Sequence, residues 1–158
     1  MSETSETAEV KEKEETGEKY LIFTILEKTY SLPSRYIGEI AVFDTVYPLP
    51  LMPHYVSGVV NRYSVPYALF DIGLLFYKTP TPRNKVLIFK DEIDHIAFLV
   101  DDVSGIVDLQ PRDLLNIEKS AESGDLTQAV RAWFNWNGKD VQVLDVRFIL
   151  SRASGEAI

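Results

Sequence analysis

Apolar residues occur in short runs from position 20 onward, and polar or turn-forming residues separate these runs. The runs are rich in Val, Ile and aromatic side chains, which favour the pleated surface of a β-sheet. In chain order the predicted strands are YLIFTIL (20–26), YSLP (30–33), RYIGEIAVF (35–43), KVLIF (85–89), HIAFLV (95–100), VSGIVDL (103–109), RAWFNW (131–136) and KDVQVLDV (139–146). Many short strands at regular spacing predict a mainly β protein, built as small barrels or as a sandwich.

Two stretches predict β-hairpins. The first, SGVVNRYSVPYALFD (57–71), predicts two apolar strands joined by a polar tip. Asn137-Gly138 joins the last two predicted strands, and Asn-Gly favours the turns that match strand twist. In that hairpin Trp133 and Phe134 point to opposite faces, so we expect one to be buried and the other to be exposed or covered by a second lobe.

The remaining segments predict short helices and connections. Residues 72–77 follow Asp71, which can cap a helix, and residues 146–152 form a second helical signal. YPLPLMPHY (47–55) contains three prolines, which cannot donate to a strand ladder, and predicts an irregular crossover. KTPTPRN (78–84) predicts a surface connection between two lobes.

The first 19 residues differ from the rest of the chain. They hold seven acidic residues and three lysines, without any aromatic residue. Such a segment buries too little apolar surface to offset its ordering entropy, so residues 1–19 are predicted to be a disordered acidic tail, either a solubilising tail or a charged regulatory arm. Residues 20–152 are predicted to be the folded part, and residues 153–158 a C-terminal tail.

Composition excludes several classes of protein. The chain has 158 residues, no cysteine and a net charge of −8, and no apolar run approaches the about 20 residues that span a bilayer. Without cysteine there are no disulfides and no thiolate chemistry. Neither the tail nor the remainder clusters Lys and Arg, so nucleic acid and anionic membrane are not expected partners. No apolar signal-peptide core opens the chain, and a cytoplasmic protein is expected.

A metal site is the one enzymatic hypothesis that the residues suggest. Asp91, Glu92, Asp94 and His95 lie together, and carboxylates with imidazole can bind metal. The four residues lie between two apolar strands, where polar residues normally form a solvated hairpin tip. His54, the other histidine, follows a proline in the crossover and is expected to lie at the surface.

Other catalytic patterns are weaker. Asp101 and Asp102 are adjacent in a predicted turn, so they point to opposite sides and do not converge on one substrate atom. The sequence contains no glycine-rich phosphate loop, Gly-x-Ser-x-Gly elbow or His-Glu-x-x-His motif. We therefore expect a binding protein without catalytic residues, resident metal or cofactor.

Five motifs, in the same order and with similar spacing, resemble the CheW family of bacterial chemotaxis adaptors and the related regulatory domain of the kinase CheA. The resemblance covers about residues 20 to 151. Its motifs are YLIFTILEKTYSLPSRYIGEI, PHYVSGVVN, FDIGLLF, FLVDDVSGIVDL and WNGKDVQVLDVRFIL. It implies two intertwined five-stranded SH3-like barrels with short helices.

The sequence departs from the family pattern at the tip of the first hairpin. Where relatives read Asn-Leu-Arg-Gly, this chain reads Asn61, Arg62, Tyr63 and Ser64. The arginine is therefore displaced by one position, which sends it to the opposite face if the strand register is kept. Serine also suits a positive-φ turn less well than glycine. Ala132 stands where the family usually has glycine.

The resemblance implies an adaptor that couples the cytoplasmic tips of chemoreceptors to the histidine kinase CheA in arrays under the inner membrane. The first lobe would contact receptor helices through Ile37, Glu39, Asn61, Arg62, Tyr63 and Ser64. The second lobe would contact the kinase through Val86, Ile88, Val103 and Ile106. The altered tip leaves a second hypothesis open, in which a divergent paralogue binds a non-standard receptor or another partner.

Overall fold

The computed structural model describes residues 17–82, 85–90, 95–116 and 129–157, with side chains as far as Ser151. Short strands dominate it. The strands are β1 Glu18–Ile25, β2 Lys28–Pro33, β3 Ile37–Val42, β4 Val56–Arg62, β5 Val65–Asp71, β6 Lys85–Phe89, β7 Ile96–Val100, β8 Asp102–Leu109, β9 Leu115–Asn116, β10 Val130–Trp136 and β11 Lys139–Leu144. Two α-helices can be given bounds within the described residues, α1 Ile72–Tyr77 and α2 Val146–Ala157, and 3-10 turns cover Ser34–Tyr36 and Pro111–Asp113.

The strands form two sheets. The first sheet has the order β8-β1-β2-β11-β10-β9, and the second has the order β3-β6-β7-β5-β4. Neighbouring strands are antiparallel except for the β2–β11 and β5–β7 pairs. All of the second sheet lies in sequence between β2 and β8, so the second sheet is an insertion within the chain segments that form the first. The expectation of a mainly β, CheW-like fold is confirmed.

Three apolar clusters account for the continuous apolar runs in the sequence. In β6, Val86 and Ile88 face a cluster belonging to the second sheet, whereas Leu87 and Phe89 face the core between the two sheets. β1 is divided in the same way, because Ile22 faces a cluster of the first sheet and Phe23 faces the shared core. Successive strand side chains point to opposite faces, so a strand covered on both faces needs apolar residues at every position.

The predicted boundary between the lobes is wrong. Residues 78–84 were expected to connect two lobes, but they lie between α1 and β6, and β6 pairs with β3 of the same sheet. The chain instead changes sheets through the turn Ser34–Tyr36 and again at Asp101. Sheet membership depends on pairing between strands far apart in sequence, which proline content does not report.

The local predictions are confirmed where the structure describes them. Asn137 and Gly138 form the turn of the β10–β11 hairpin with φ values of 53° and 80°. Asp71 caps α1 by accepting a hydrogen bond from the Leu74 amide at 3.2 Å. Phe134 is buried, whereas Trp133 is half-buried on the opposite face.

The two ends of the domain extend beyond the expected limits. β1 begins at Glu18, inside the segment predicted to be a tail, and α2 covers positions 153–157. Residues 1–16 lie outside the described residues. Across the described ranges, neither helix is long and apolar enough to cross a membrane.

Candidate protein-binding surface

The tip of the β4–β5 hairpin is a tight turn made by two residues other than glycine. Tyr63 and Ser64 both adopt positive φ, at 52° and 67°. Two successive positive φ values characterise the type I′ turn, which matches the twist of a hairpin. Positive φ raises the conformational energy of residues that have a Cβ. The Tyr63 side chain is 81% exposed at this tip. The turn thus fixes the backbone from which the exposed aromatic ring of Tyr63 projects.

Arg62 organises the surface beside the tip. Its Nε donates to Oε1 of Glu39 at 3.0 Å, and its Nη2 pairs with Oε2 of the same carboxylate. The guanidinium lies 4.6 Å from the ring centroid of Tyr63 and 5.9 Å from that of Phe43. β3 and β4 are the two edges of the second sheet, so the ion pair brings these edges together, as in a small barrel.

A groove follows from this arrangement, and we call it the tip groove. Its volume is about 320 Å³. The residues that line it are Gly38, Glu39, Arg62, Tyr63, Tyr67, Ile88, Phe89 and Lys90. The groove combines an exposed ring, a half-exposed ion pair and a buried apolar floor. Tyr67 and Lys90 were not identified from the sequence, because only the pairing of β6 with β3 places Lys90 beside the tip.

A second groove, the inter-sheet groove, lies where the edge strands β3 and β8 of the two sheets meet. It has a volume of about 230 Å³ and is lined by Leu21, Ser34, Ile37, Gly38, Glu39, Ile40 and Ile106. Ile40 is 43% exposed and Ile106 is 58% exposed. Because Gly38 and Glu39 line both grooves, the grooves form one surface with an apolar half and a polar half.

The structure brings together part of the expected receptor-side set. Glu39, Arg62 and Tyr63 are in contact, and Ile37 lines the adjoining inter-sheet groove. Ser64 belongs to the turn itself. Asn61 is exposed but lines neither groove, because it alternates with Arg62 along β4 and points to the other face.

The four expected kinase-side residues do not form a common surface. Val86 and Ile88 are only 1% and 3% exposed, since β6 is an interior strand covered on both faces. Val103 is half-buried against the core between the sheets. Ile106 is exposed, but it lines the inter-sheet groove together with Ile37, which was assigned to the receptor side.

The crossover between β3 and β4 carries a further apolar surface. Tyr47, Leu49, Leu51 and Met52 are exposed there, and Leu51 is fully so. Leu51 also has a positive φ of 62°. The prolines of this segment predict irregular backbone, but they do not by themselves predict a contact surface. The alternation of proline with apolar residues could have indicated exposed side chains, because proline prevents the segment from joining a sheet interior.

The alternative metal site cannot be placed as a whole, because residues 91–94 lie outside the described residues. In the part that is described, no group of three or more His, Cys, Asp or Glu residues could hold a metal. Asp101 and Asp102 make different contacts: Oδ2 of Asp101 accepts from the Glu27 amide at 3.4 Å, and Asp102 pairs with Lys85 at 2.7 Å. The two carboxylates therefore bind different neighbouring residues.

Comparison with known proteins agrees with this architecture. A model of the CheW-like domain matches residues 19–154. The chain belongs to the CheW-like domain family. The CheW-like family is a family of scaffold and adaptor proteins. The resemblance seen in the sequence motifs is thereby confirmed.

A solved structure shows the shared CheW-like fold. The crystal structure of the scaffolding protein TtCheW from Thermoanaerobacter tengcongensis is similar, with a TM-score of 0.71. The two sequences are 14% identical, and the match covers 81% of this chain and 84% of that chain. No curated protein sequence matches this chain.

Proposed function

We propose that this protein is a chemotaxis adaptor that couples the cytoplasmic tips of chemoreceptors to the histidine kinase CheA. The observation that carries the proposal is the joined surface of the inter-sheet and tip grooves, found in a member of a scaffold family. Binding sites between proteins typically combine a buried apolar centre with a polar rim, and this surface supplies both. The protein itself carries out no reaction and needs no cofactor.

The receptor contact is proposed to lie on these two grooves. A receptor tip is helical, and a helix presents apolar side chains along one face to an apolar groove. The apolar lining of the inter-sheet groove includes Ile37, Ile40 and Ile106. The Glu39–Arg62 pair forms the polar rim, and Tyr63 supplies an aromatic anchor that is already held by the turn.

The kinase contact is proposed to lie on the crossover between β3 and β4. An adaptor needs a second surface, and Tyr47, Leu49, Leu51 and Met52 expose apolar area there. A fully exposed leucine at positive φ is costly for a free protein, and such costs concentrate at functional positions. The regulatory domain of CheA, which is related to this fold, is the proposed partner. The adaptor acts in the cytoplasm and is recruited to membrane-associated receptor arrays.

A divergent paralogue remains the second candidate. The charge of Arg62 is already compensated by Glu39, and its guanidinium stacks on Tyr63. A receptor that requires a free arginine at this tip would therefore find a different surface here. This candidate predicts binding to the kinase domain but not to a conventional receptor tip.

Titration calorimetry with the full chain tests the receptor contact. We expect Tyr63→Ala to weaken binding of a receptor signalling-tip fragment by about 2 kcal/mol, or about 30-fold, if Tyr63 is a central aromatic anchor. Leu115→Ala is the matched control, because Leu115 is also exposed but lies in β9, at the far edge of the first sheet. Equal affinity of Tyr63→Ala and the native chain would remove the tip from the site.

The kinase contact is tested separately. Leu51→Ser should lower the affinity for the regulatory domain of CheA by about 10-fold while leaving receptor-tip affinity unchanged, because it removes one apolar contact of about 1–2 kcal/mol. Kinase binding by the native chain without receptor binding would favour the divergent paralogue. Absence of both interactions would overturn the proposed function.

A further inference from the structure

Arginines converge at one end of the first sheet, in a pocket that shares no lining residue with either groove. A pocket of about 190 Å³, here called the basic pocket, is lined by Arg35, Arg131 and Arg147 together with Tyr36 and Asp145. Three guanidinium groups in one small pocket are unexpected in a chain with a net charge of −8. The arginines make the local charge positive, whereas the net charge of the whole protein is negative.

The carboxylates near the pocket leave much of this charge uncompensated. Arg35 pairs with Glu18 and lies 4.7 Å from the ring centroid of Tyr36. Asp145 is engaged in capping α2, because its Oδ1 accepts from the Phe148 amide at 3.1 Å. Among the described residues, no carboxylate lies within ion-pair distance of Arg131 or Arg147.

The position of Arg147 adds to the imbalance. Arg147 is the second residue of α2, where the helix dipole is positive and a cation is unfavourable. Within the part of the chain that the structure describes, Arg131 donates a long hydrogen bond, 3.4 Å, to the hydroxyl of Tyr20. An anion in the basic pocket would therefore stabilise the guanidinium groups of Arg131 and Arg147 and the first turn of α2.

Acidic residues precede Glu18 closely in the sequence. The described chain begins next to the pocket, because Glu18, the first residue of β1, is already bound to Arg35. Residues 1–16 contain six glutamates and two lysines, a net charge of −4. Glu14 and Glu15 precede Glu18 by four and three residues, so they reach at most about 14 Å from it.

We propose that the basic pocket binds carboxylates of the chain's own acidic segment, residues 1–16. Residues 17–158 also carry a net charge of −4, since 18 acidic and 14 basic residues remain, and they repel the segment on average. The screening length at physiological salt is about 8 Å, so the nearby arginines outweigh the distant acidic residues. Covalent attachment also gives the segment a high effective concentration at the pocket.

Paramagnetic broadening in the full-length protein tests this contact. The chain has no cysteine, so Ala8→Cys accepts a single nitroxide label. At low salt we expect broadening of the amide signals of Arg131, Leu144 and Arg147. The double variant Arg131→Gln/Arg147→Gln should lose most of this broadening, and so should the native pocket at about 1 M NaCl, where the screening length is about 3 Å.

A matched control removes the same charge elsewhere. Lys90→Gln/Lys139→Gln also deletes two positive charges, but Lys90 lies in the tip groove and Lys139 is at the other end of β11 from the pocket. This variant should keep the broadening. Thermal unfolding midpoints of both double variants should lie within a few degrees, about 5 °C, of that of the native chain, because the substituted side chains are exposed and a charge at a helix end is worth at most about 1 kcal/mol.

Three results would overturn the proposal. The first is an absence of broadening at the pocket at low salt. The second is broadening that the arginine double variant leaves unchanged. The third is a site for free anions only, in which inorganic phosphate shifts the pocket amides while the labelled segment leaves them unbroadened.

Discussion

β3 and β6 are neighbours in the second sheet, and both are rich in apolar residues, yet their side chains differ in burial. Every residue of β6 after Lys85 is buried, whereas β3 alternates half-buried with exposed positions. β6 is an interior strand with a core on each face, and β3 is an edge strand beside the inter-sheet groove. Position in the sheet therefore decides whether an apolar side chain stabilises the fold or is available to a partner.

The same difference explains why two expected contact residues are not at the surface. Val86 and Ile88 look suitable for a partner by residue type alone, but they belong to the interior strand. Ile40, which was not expected at a site, lies on the edge strand and is exposed. For a sheet with cores on both faces, the search for a binding surface should begin at its edges.

The largest expected effect comes from substituting one isoleucine in each strand. Ile88→Ala should lower the free energy of unfolding by about 2–5 kcal/mol, because it removes a buried side chain and leaves a cavity. Ile40→Ala should change it by less than about 0.5 kcal/mol but weaken binding of a receptor tip. Urea unfolding of both variants measures the first quantity, and calorimetry measures the second.

Either of two outcomes would contradict the roles assigned to β3 and β6. Equal losses of stability would mean that β3 contributes to the core as β6 does. Unaltered receptor binding by Ile40→Ala, with binding lost in a stably folded Ile88→Ala, would place the contact on the tip groove alone.

A smaller effect is expected at the interior strand β2. Tyr30 is buried, and its hydroxyl hydrogen-bonds to that of Tyr77 in α1. Tyr30→Phe should lower the free energy of unfolding by about 1 kcal/mol, the typical net value of one hydrogen bond. Tyr47→Phe, which alters an exposed tyrosine in the crossover, is the control and should have no measurable effect.

The same variant should change the response to alkaline pH. Burial, followed by the hydrogen bond to Tyr77, raises the pKa of Tyr30 well above its ordinary value. Above about pH 10 the unfolded state ionises this hydroxyl while the folded state keeps it protonated, so stability falls as pH rises. Tyr30→Phe should make this decline shallower, and an identical decline in both proteins would contradict the assignment to Tyr30.

The smallest effect on stability is expected at the edges of the second sheet. The Arg62 and Glu39 side chains are each 31% exposed, and pairs of this kind contribute about 0–1 kcal/mol. Arg62→Lys keeps the charge but loses the two-point hydrogen bonding and the stacking on Tyr63. We therefore expect nearly native stability with weakened receptor binding. A loss of several kcal/mol would show that the ion pair holds the sheet together.

Local features of the fold were predictable because neighbouring residues determine them. Asn137-Gly138 identified its hairpin, and Asp71 identified the start of α1. The tip at Tyr63 was also located, since two apolar runs of matching length flank it. The displaced arginine could be noted from the sequence, but its pairing with Glu39 could not, because 23 residues separate the two.

The sequence by itself determined that this chain forms a β-rich, CheW-like domain, since strand composition, turn residues and motif order are local properties. Only the tertiary structure decided which apolar residues are exposed and which arginines converge. Exposure depends on whether a strand lies at the interior or the edge of a sheet, and convergence depends on which distant strands pair. Both are long-range properties that no short segment encodes, so Ile88 and Ile40 look alike in the sequence and differ in the fold.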